Sequence, residues 1–171
     1  KKYGIEPDMA TFGKALGNAY AITAVIGKSE FMNATQNSFI SSTFWTERIG
    51  PVAGLRTLEI MEYEKSWESI TQIGKQIGAR WKKLADKFNL PIQIGGLPAL
   101  VNFNFPVDNW LKYKTLITQE MLKVNYLASN TVYVCTKHSN SIVNEYFDLL
   151  EPLFKIISDC EDGKNIDDLL D

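Results

Sequence analysis

Histidine and cysteine are nearly absent: the 171 residues hold one His and two Cys. Two cysteines, Cys135 and Cys160, cannot build a disulfide framework, and their scarcity fits a reducing compartment, so a cytoplasmic location is expected. Cys135 and His138 have ligand-like spacing, but the only further soft ligand is Cys160 in an acidic tail, so no metal site is expected. An excess of positive charge is also missing. With 18 basic and 20 acidic side chains, a net charge of −2 and no Lys/Arg stripe, the chain has no footprint for nucleic acid or acidic membranes. No run approaches the roughly 20 apolar residues of a membrane span; residues 19–27 and 149–157 are short or charge-punctuated. The opening Lys1-Lys2-Tyr3-Gly4 has neither an initiator Met nor a leader-like segment, and reads as part of a longer protein.

Three catalytic signatures fail as well. Gly13-Lys14 is not a phosphate-binding P-loop, because Asp8 stands where Gly is required and Ala15 where Ser or Thr is. No Gly-x-Gly-x-x-Gly opens a helix. No Gly-x-Ser-x-Gly elbow exists, and His138 reads as a loop residue ahead of a helix, hydrogen-bonded to backbone.

What is present is a globular composition, 45% hydrophobic and 12% aromatic, enough for a real core. Residues 7–12 predict a strand followed by a loop, and residues 20–27, rich in β-branched side chains, a buried strand. Ser29 is a candidate N-cap for a short helix. Residues 46–65 predict a core helix that starts near Ile49 or Gly50, since Pro51 is tolerated only in a first turn. Residues 66–88 repeat Trp67, Ile70, Ile73, Ile77, Trp81, Leu84 and Phe88 on one helical face. Strands at 91–94 and 100–105 follow, then a helix at 108–123, an extended piece at 131–136 and a helix at 141–157 capped by Ser139 or Asn140. The chain thus divides into residues 1–65, the end of an α/β sheet, and residues 66–158, a small α+β domain. An acidic tail, 159–171, is expected to be mobile.

Lys14 is the residue with chemical promise. A lysine at the end of a buried strand, among the small residues Gly13, Ala15, Gly17 and Ala19, would be desolvated, which favours the neutral amine that attacks carbonyls. A surface lysine in a loop is the competing interpretation.

Residues 7–27, Pro-Asp-Met-Ala-Thr-Phe-Gly-Lys-Ala-Leu-Gly-Asn-Ala-Tyr-Ala-Ile-Thr-Ala-Val-Ile-Gly, resemble the cofactor-lysine segment of class-III pyridoxal-phosphate-dependent aminotransferases. The glutamate-1-semialdehyde 2,1-aminomutase group is the nearest branch in that resemblance. Residues 41–53, from Ser41-Ser42-Thr43-Phe44-Trp45-Thr46-Glu47 onward, resemble the family's threonine turn and following helix, and residues 90–155 resemble its small domain more loosely. The resemblance implies the fold-type-I transferase architecture, with Lys14 forming a Schiff base with pyridoxal 5′-phosphate and shuttling protons during amino transfer. It implies that Thr43 binds the cofactor phosphate, usually that of a partner subunit, with Ser42 a weaker candidate. A homodimer with shared sites, acting on a small-molecule amino donor and carbonyl acceptor, follows. Asn18, Ala19 and Ala21 replace the family's usual glycines and Pro, and Phe44-Trp45-Thr46-Glu47 replaces Ser-Gly-Asn-Pro. The family's phosphate-binding turn, ring-stacking aromatic and pyridine-pairing Asp all precede the lysine and have no counterpart here, so the isolated 171-residue piece is not expected to be active. The alternatives are a non-catalytic truncated paralogue serving as a protein-interaction module, and a decarboxylase or racemase on the same cofactor.

Overall fold

The computed structural model describes residues 4–171. The chain forms two compact units, the first ending at Lys65 and the second spanning Ser66–Asp171. Lys65 adopts a left-handed backbone (φ 47°) and its N–H returns to the Met61 carbonyl, ending the preceding helix.

In the first unit, β1 (Met9–Phe12) and β2 (Ala24–Gly27) form an antiparallel two-stranded ribbon, with Met9 opposite Gly27 and Phe12 opposite Ala24. The ribbon's open end is closed by Lys28 N–H to Asp8 O (2.9 Å) and by the Lys28–Asp8 ion pair. α1 (Ser29–Met32) is a single turn, and Ser29 is its first residue rather than its cap. α2 (Ile49–Glu64) begins where Pro51 requires.

Two expectations fail in this unit. The strand around residues 20–27 is shorter than expected and not buried; Val25 and Ile26 are exposed, as are Met9 and Phe12 of β1. The apolar side chains of α2, among them Val52, Leu55 and Leu58, are exposed too, while its buried positions are Gly50 and Gly54. The physical reason is shared. β-branched and periodic apolar runs mark surfaces able to be covered, and the described residues of this unit supply no second layer over them.

The second unit holds the core. Its sheet, ordered β3 (Gln93–Leu97), β4 (Leu100–Asn104), β5 (Thr131–Tyr133), is antiparallel throughout. Alternation along β4 turns Val101 and Phe103 into the core and leaves Leu100 exposed. α3 (Ser66–Lys87), α4 (Trp110–Lys123) and α5 (Asn140–Glu161) supply the other layer, and Ser139 Oγ caps α5 by accepting from Ile142 N–H. Gly74 of α3 lets the helix meet the β3–β4 turn, since a Cβ there would stand 1.7 Å from the Pro98 carbonyl oxygen. Phe103 is the hub of an aromatic cluster, 4.7 Å from Trp81 and 5.8 Å from Phe154 between ring centroids. Trp81 Nε1 donates to the buried Tyr146 hydroxyl at 3.0 Å, and burial raises the Tyr146 phenol above its ordinary range.

The terminal segment is packed rather than mobile. α5 continues to Glu161, Ile166 is 4% exposed within the core, and Leu169 and Leu170 pack against it. Gln119 ties the end down by donating to Leu169 O and accepting from Asp171 N–H, while Lys112 and Lys123 pair with Asp167 and Asp171. Acid content signalled solvation, but the acids alternate with apolar residues that face inward.

Replacing Tyr146 by Phe leaves the buried Trp81 N–H without an acceptor, and should lower unfolding stability by about 1–3 kcal/mol. Phe103→Ala, which empties the centre of the cluster, should cost about 3–5 kcal/mol. Urea unfolding followed by tryptophan fluorescence measures both.

Candidate active site

Lys14 follows β1 after the single residue Gly13 and opens a 3-10 turn, Lys14–Leu16. The chain from Gly13 to Tyr20 is wound by successive backbone bonds: Leu16 N–H to Gly13 O, Gly17 N–H to Lys14 O, Asn18 N–H to Ala15 O and Tyr20 N–H to Gly17 O. Three residues of this stretch that are not glycine have positive φ: 50° at Lys14, 44° at Asn18 and 83° at Ala19. Each left-handed L-residue costs on the order of 1–3 kcal/mol, a cost that persists only where the surroundings impose it.

α2 packs against the residues that flank these positions. A Cβ on Gly50 would stand 2.5 Å from Ala21 O, and one on Gly54 would touch Leu16 and Ile22. The helix therefore offers a flat backbone face on which the segment behind Lys14 lies at contact distance. Gly17 is equally constrained, since a Cβ would come within 2.0 Å of Tyr20 O.

An open cavity of about 810 Å³ lies over this turn, lined by Lys14, Tyr20, Ser42, Trp45 and Glu47 among others. The Lys14 side chain is exposed, so the desolvation expected from a buried strand is not supplied by the described residues. It makes no hydrogen bond or ion pair among the described residues, which leaves a primary amine available to a ligand. Ser42 Oγ accepts from Phe44 N–H at 3.2 Å, so its own proton can be donated into the cavity. Thr43 is exposed in the turn 43–46 and is not one of the cavity residues. The cavity thus has Lys14 and Ser42 on its wall, with Thr43 between two of its lining residues, Ser42 and Phe44.

Glu47 is a cavity residue that sequence reasoning did not single out. Its two carboxylate oxygens accept from Ile49 N–H and Gly50 N–H (2.8 Å to the latter), covering the start of α2. An acidic residue just ahead of the Pro51 helix start was the available signal. Elsewhere, His138 Nδ1 accepts from Cys135 N–H at 3.2 Å, the backbone-bonded loop role expected of it.

The sequence profile of Aminotransferase class-III matches residues 1–145. The chain belongs to this family. A 3-aminobutyryl-CoA aminotransferase of Cloacimonas acidaminovorans (strain Evry) is 32% identical over 146 residues, which is 82% of this chain and 35% of that protein. A glutamate-1-semialdehyde 2,1-aminomutase of Sulfurihydrogenibium azorense is 25% identical over 172 residues, covering 91% of this chain and 40% of that protein. The chain therefore spans little more than a third of the length of these class-III relatives. Among solved structures, the FumI protein of Sphingopyxis sp. MTA144, in its PLP internal aldimine form, matches with a TM-score of 0.82 at 20% identity, over 96% of this chain and 40% of that one. A β-phenylalanine aminotransferase from Variovorax paradoxus matches with a TM-score of 0.75 at 20% identity, over 88% of this chain and 39% of that one. The fold is accordingly that of fold-type-I transferases, and the two-stranded ribbon with α2 is a part of that class-III architecture.

Gly50→Ala should push the helix off Ala21 O and destabilise the full-length protein by about 1–3 kcal/mol. Gly54→Ala meets ordinary contact distances of 3.5 Å or more and should be neutral, or stabilising by up to about 1 kcal/mol through helix propensity. Thermal melts of the two variants side by side test whether the close approach lies at Gly50.

Proposed function

We propose that this chain is the C-terminal portion of a pyridoxal-phosphate-dependent aminotransferase or aminomutase in which Lys14 is the amine that holds the cofactor. The observation that carries this reading is the Lys14 amine, without a hydrogen-bond or ion-pair partner among the described residues, held on a left-handed turn at the edge of an open cavity with the Ser42 hydroxyl on its wall. This donor set fits the cofactor, whose aldehyde carbon takes a primary amine and whose phosphate takes hydroxyl and N–H donors. When bound, pyridoxal phosphate supplies the electron sink that makes the substrate Cα–H acidic.

The chain's own residues then have three tasks. Lys14 Nζ would hold the cofactor's aldehyde carbon, and as a free amine would carry a proton between substrate Cα and the cofactor's C4′. Positioned acid-base catalysis of this kind contributes about 10²–10⁴-fold. Ser42 donates to the phosphate, and Thr43 does so through its hydroxyl and backbone N–H. Thr43 is exposed, and in a homodimer with shared sites it serves the site of the second subunit, as the family resemblance implies. Tyr20, Phe44 and Trp45 give the site bulky apolar surface beside Lys14 and shape which small-molecule amine fits. The free thiols of Cys135 and Cys160 support a cytoplasmic setting, and no helix among the described residues is long and apolar enough to cross a membrane.

Borohydride reduction of the full-length protein with pyridoxal phosphate, followed by peptide mass mapping, should place the phosphopyridoxyl mass on the Lys14 peptide and lose it in Lys14→Ala. A folded protein left unmodified at Lys14 contradicts the assignment and favours the non-catalytic interaction module. Whether turnover requires a separate keto acid then distinguishes intermolecular transfer from the aminomutase reaction.

A further inference from the structure

Glu47 stands where three segments meet. Its backbone N–H bonds back to Phe44 O at 3.2 Å, closing a turn over Phe44–Glu47 that follows Thr43 directly. Its side chain reaches forward, one carboxylate oxygen to Ile49 N–H and the other to Gly50 N–H. Gly50 is the residue against which Ala21 and Ile22, behind the Lys14 turn, are packed. The carboxylate is half-buried on the wall of the cavity bordered by Lys14.

We propose that Glu47 is a positioning residue for the cofactor-phosphate turn: by bonding the first two N–H groups of α2 it holds the segment of Ser42 and Thr43 in register with that helix. This inference rests on the assignment of Thr43 and Ser42 to the cofactor phosphate, and adds the residue that orients them. A carboxylate beside a phosphate site would ordinarily repel it. Here both oxygens are turned onto N–H groups at the positive end of a helix of 16 residues, which offsets their charge. The turn has no other side-chain bond to α2 among the described residues, so removing the carboxylate frees the turn without touching the hydroxyls that bind.

The test measures pyridoxal phosphate affinity of the full-length protein by absorbance titration after cofactor removal, in the wild type, Thr43→Ala, Glu47→Ala, Glu47→Gln and the Thr43→Ala/Glu47→Ala double variant. Glu47→Ala should weaken affinity roughly three- to thirtyfold, the size of losing a helix-capping acceptor. Glu47→Gln, which keeps one accepting oxygen, should fall between it and the wild type, and serves in its place if Glu47→Ala does not fold. The decisive readout is the double variant. If Glu47 acts by holding the turn, the double variant loses less affinity than the two single losses combined, because part of what Glu47 positions is already gone in Thr43→Ala.

Full additivity in cofactor affinity, or an affinity unchanged in Glu47→Ala while Thr43→Ala is weakened, overturns the proposal and leaves the phosphate assignment standing. Tighter binding by Glu47→Gln also overturns it, because repulsion rather than positioning would then dominate. An unchanged affinity in Thr43→Ala removes the phosphate assignment itself, and the proposal falls with it.

Discussion

The contact between the Lys14 turn and the glycine face of α2 is the constraint on which the candidate site depends. A strand that ends in a lysine would ordinarily release that side chain onto a flexible loop with many orientations. Here the chain winds tightly from Gly13 to Tyr20, holds Lys14, Asn18 and Ala19 in left-handed conformations, and lies on α2 where a Cβ at Gly50 would come within 2.5 Å of Ala21 O. Left-handed alanine and lysine are unfavourable by themselves. They persist because the helix face, Gly17 and the turn hydrogen bonds leave the backbone no relaxed alternative, and the result is an amine whose origin is fixed although its tip is exposed.

The same helix serves the other side of the site. Its N-terminus, covered by Glu47, is where the turn 43–46 ends, so the Lys14 segment and the Ser42 side of the cavity both border the first turns of α2. Reaction geometry of this kind tolerates errors of well under an ångström. A rigid helix with two close-packed glycines provides such a reference, and its cost is that neither glycine position can carry a side chain for other packing.

Much of this was legible before any coordinates. The periodic apolar residues of 66–88 specified α3 almost to the residue, Pro51 located the start of α2, and Ser139 marked the start of α5, because helix period and capping are local properties. The resemblance around Lys14 and Thr43 identified the family, which the class-III profile over residues 1–145 shows. Burial of the first unit was misjudged, since the apolar runs at 20–27 and 49–61 look alike whether or not a covering layer lies within the same chain. The left-handed backbone at Lys14, Asn18 and Ala19 carries no sequence signal, because glycine is what such positions ordinarily announce. The tail was misjudged for a different reason: its acids were counted, but Ile166, Leu169 and Leu170, which bury against the core, were not weighed as a pattern.

The most direct measurement is a crystal structure of the full-length protein with pyridoxal phosphate. Electron density joining Lys14 Nζ to the cofactor's aldehyde carbon, with Lys14 still left-handed and the Ala21–Ile22 segment against Gly50, is the predicted result. Cofactor joined to a different lysine, or a Lys14 turn lifted from α2, would contradict the account.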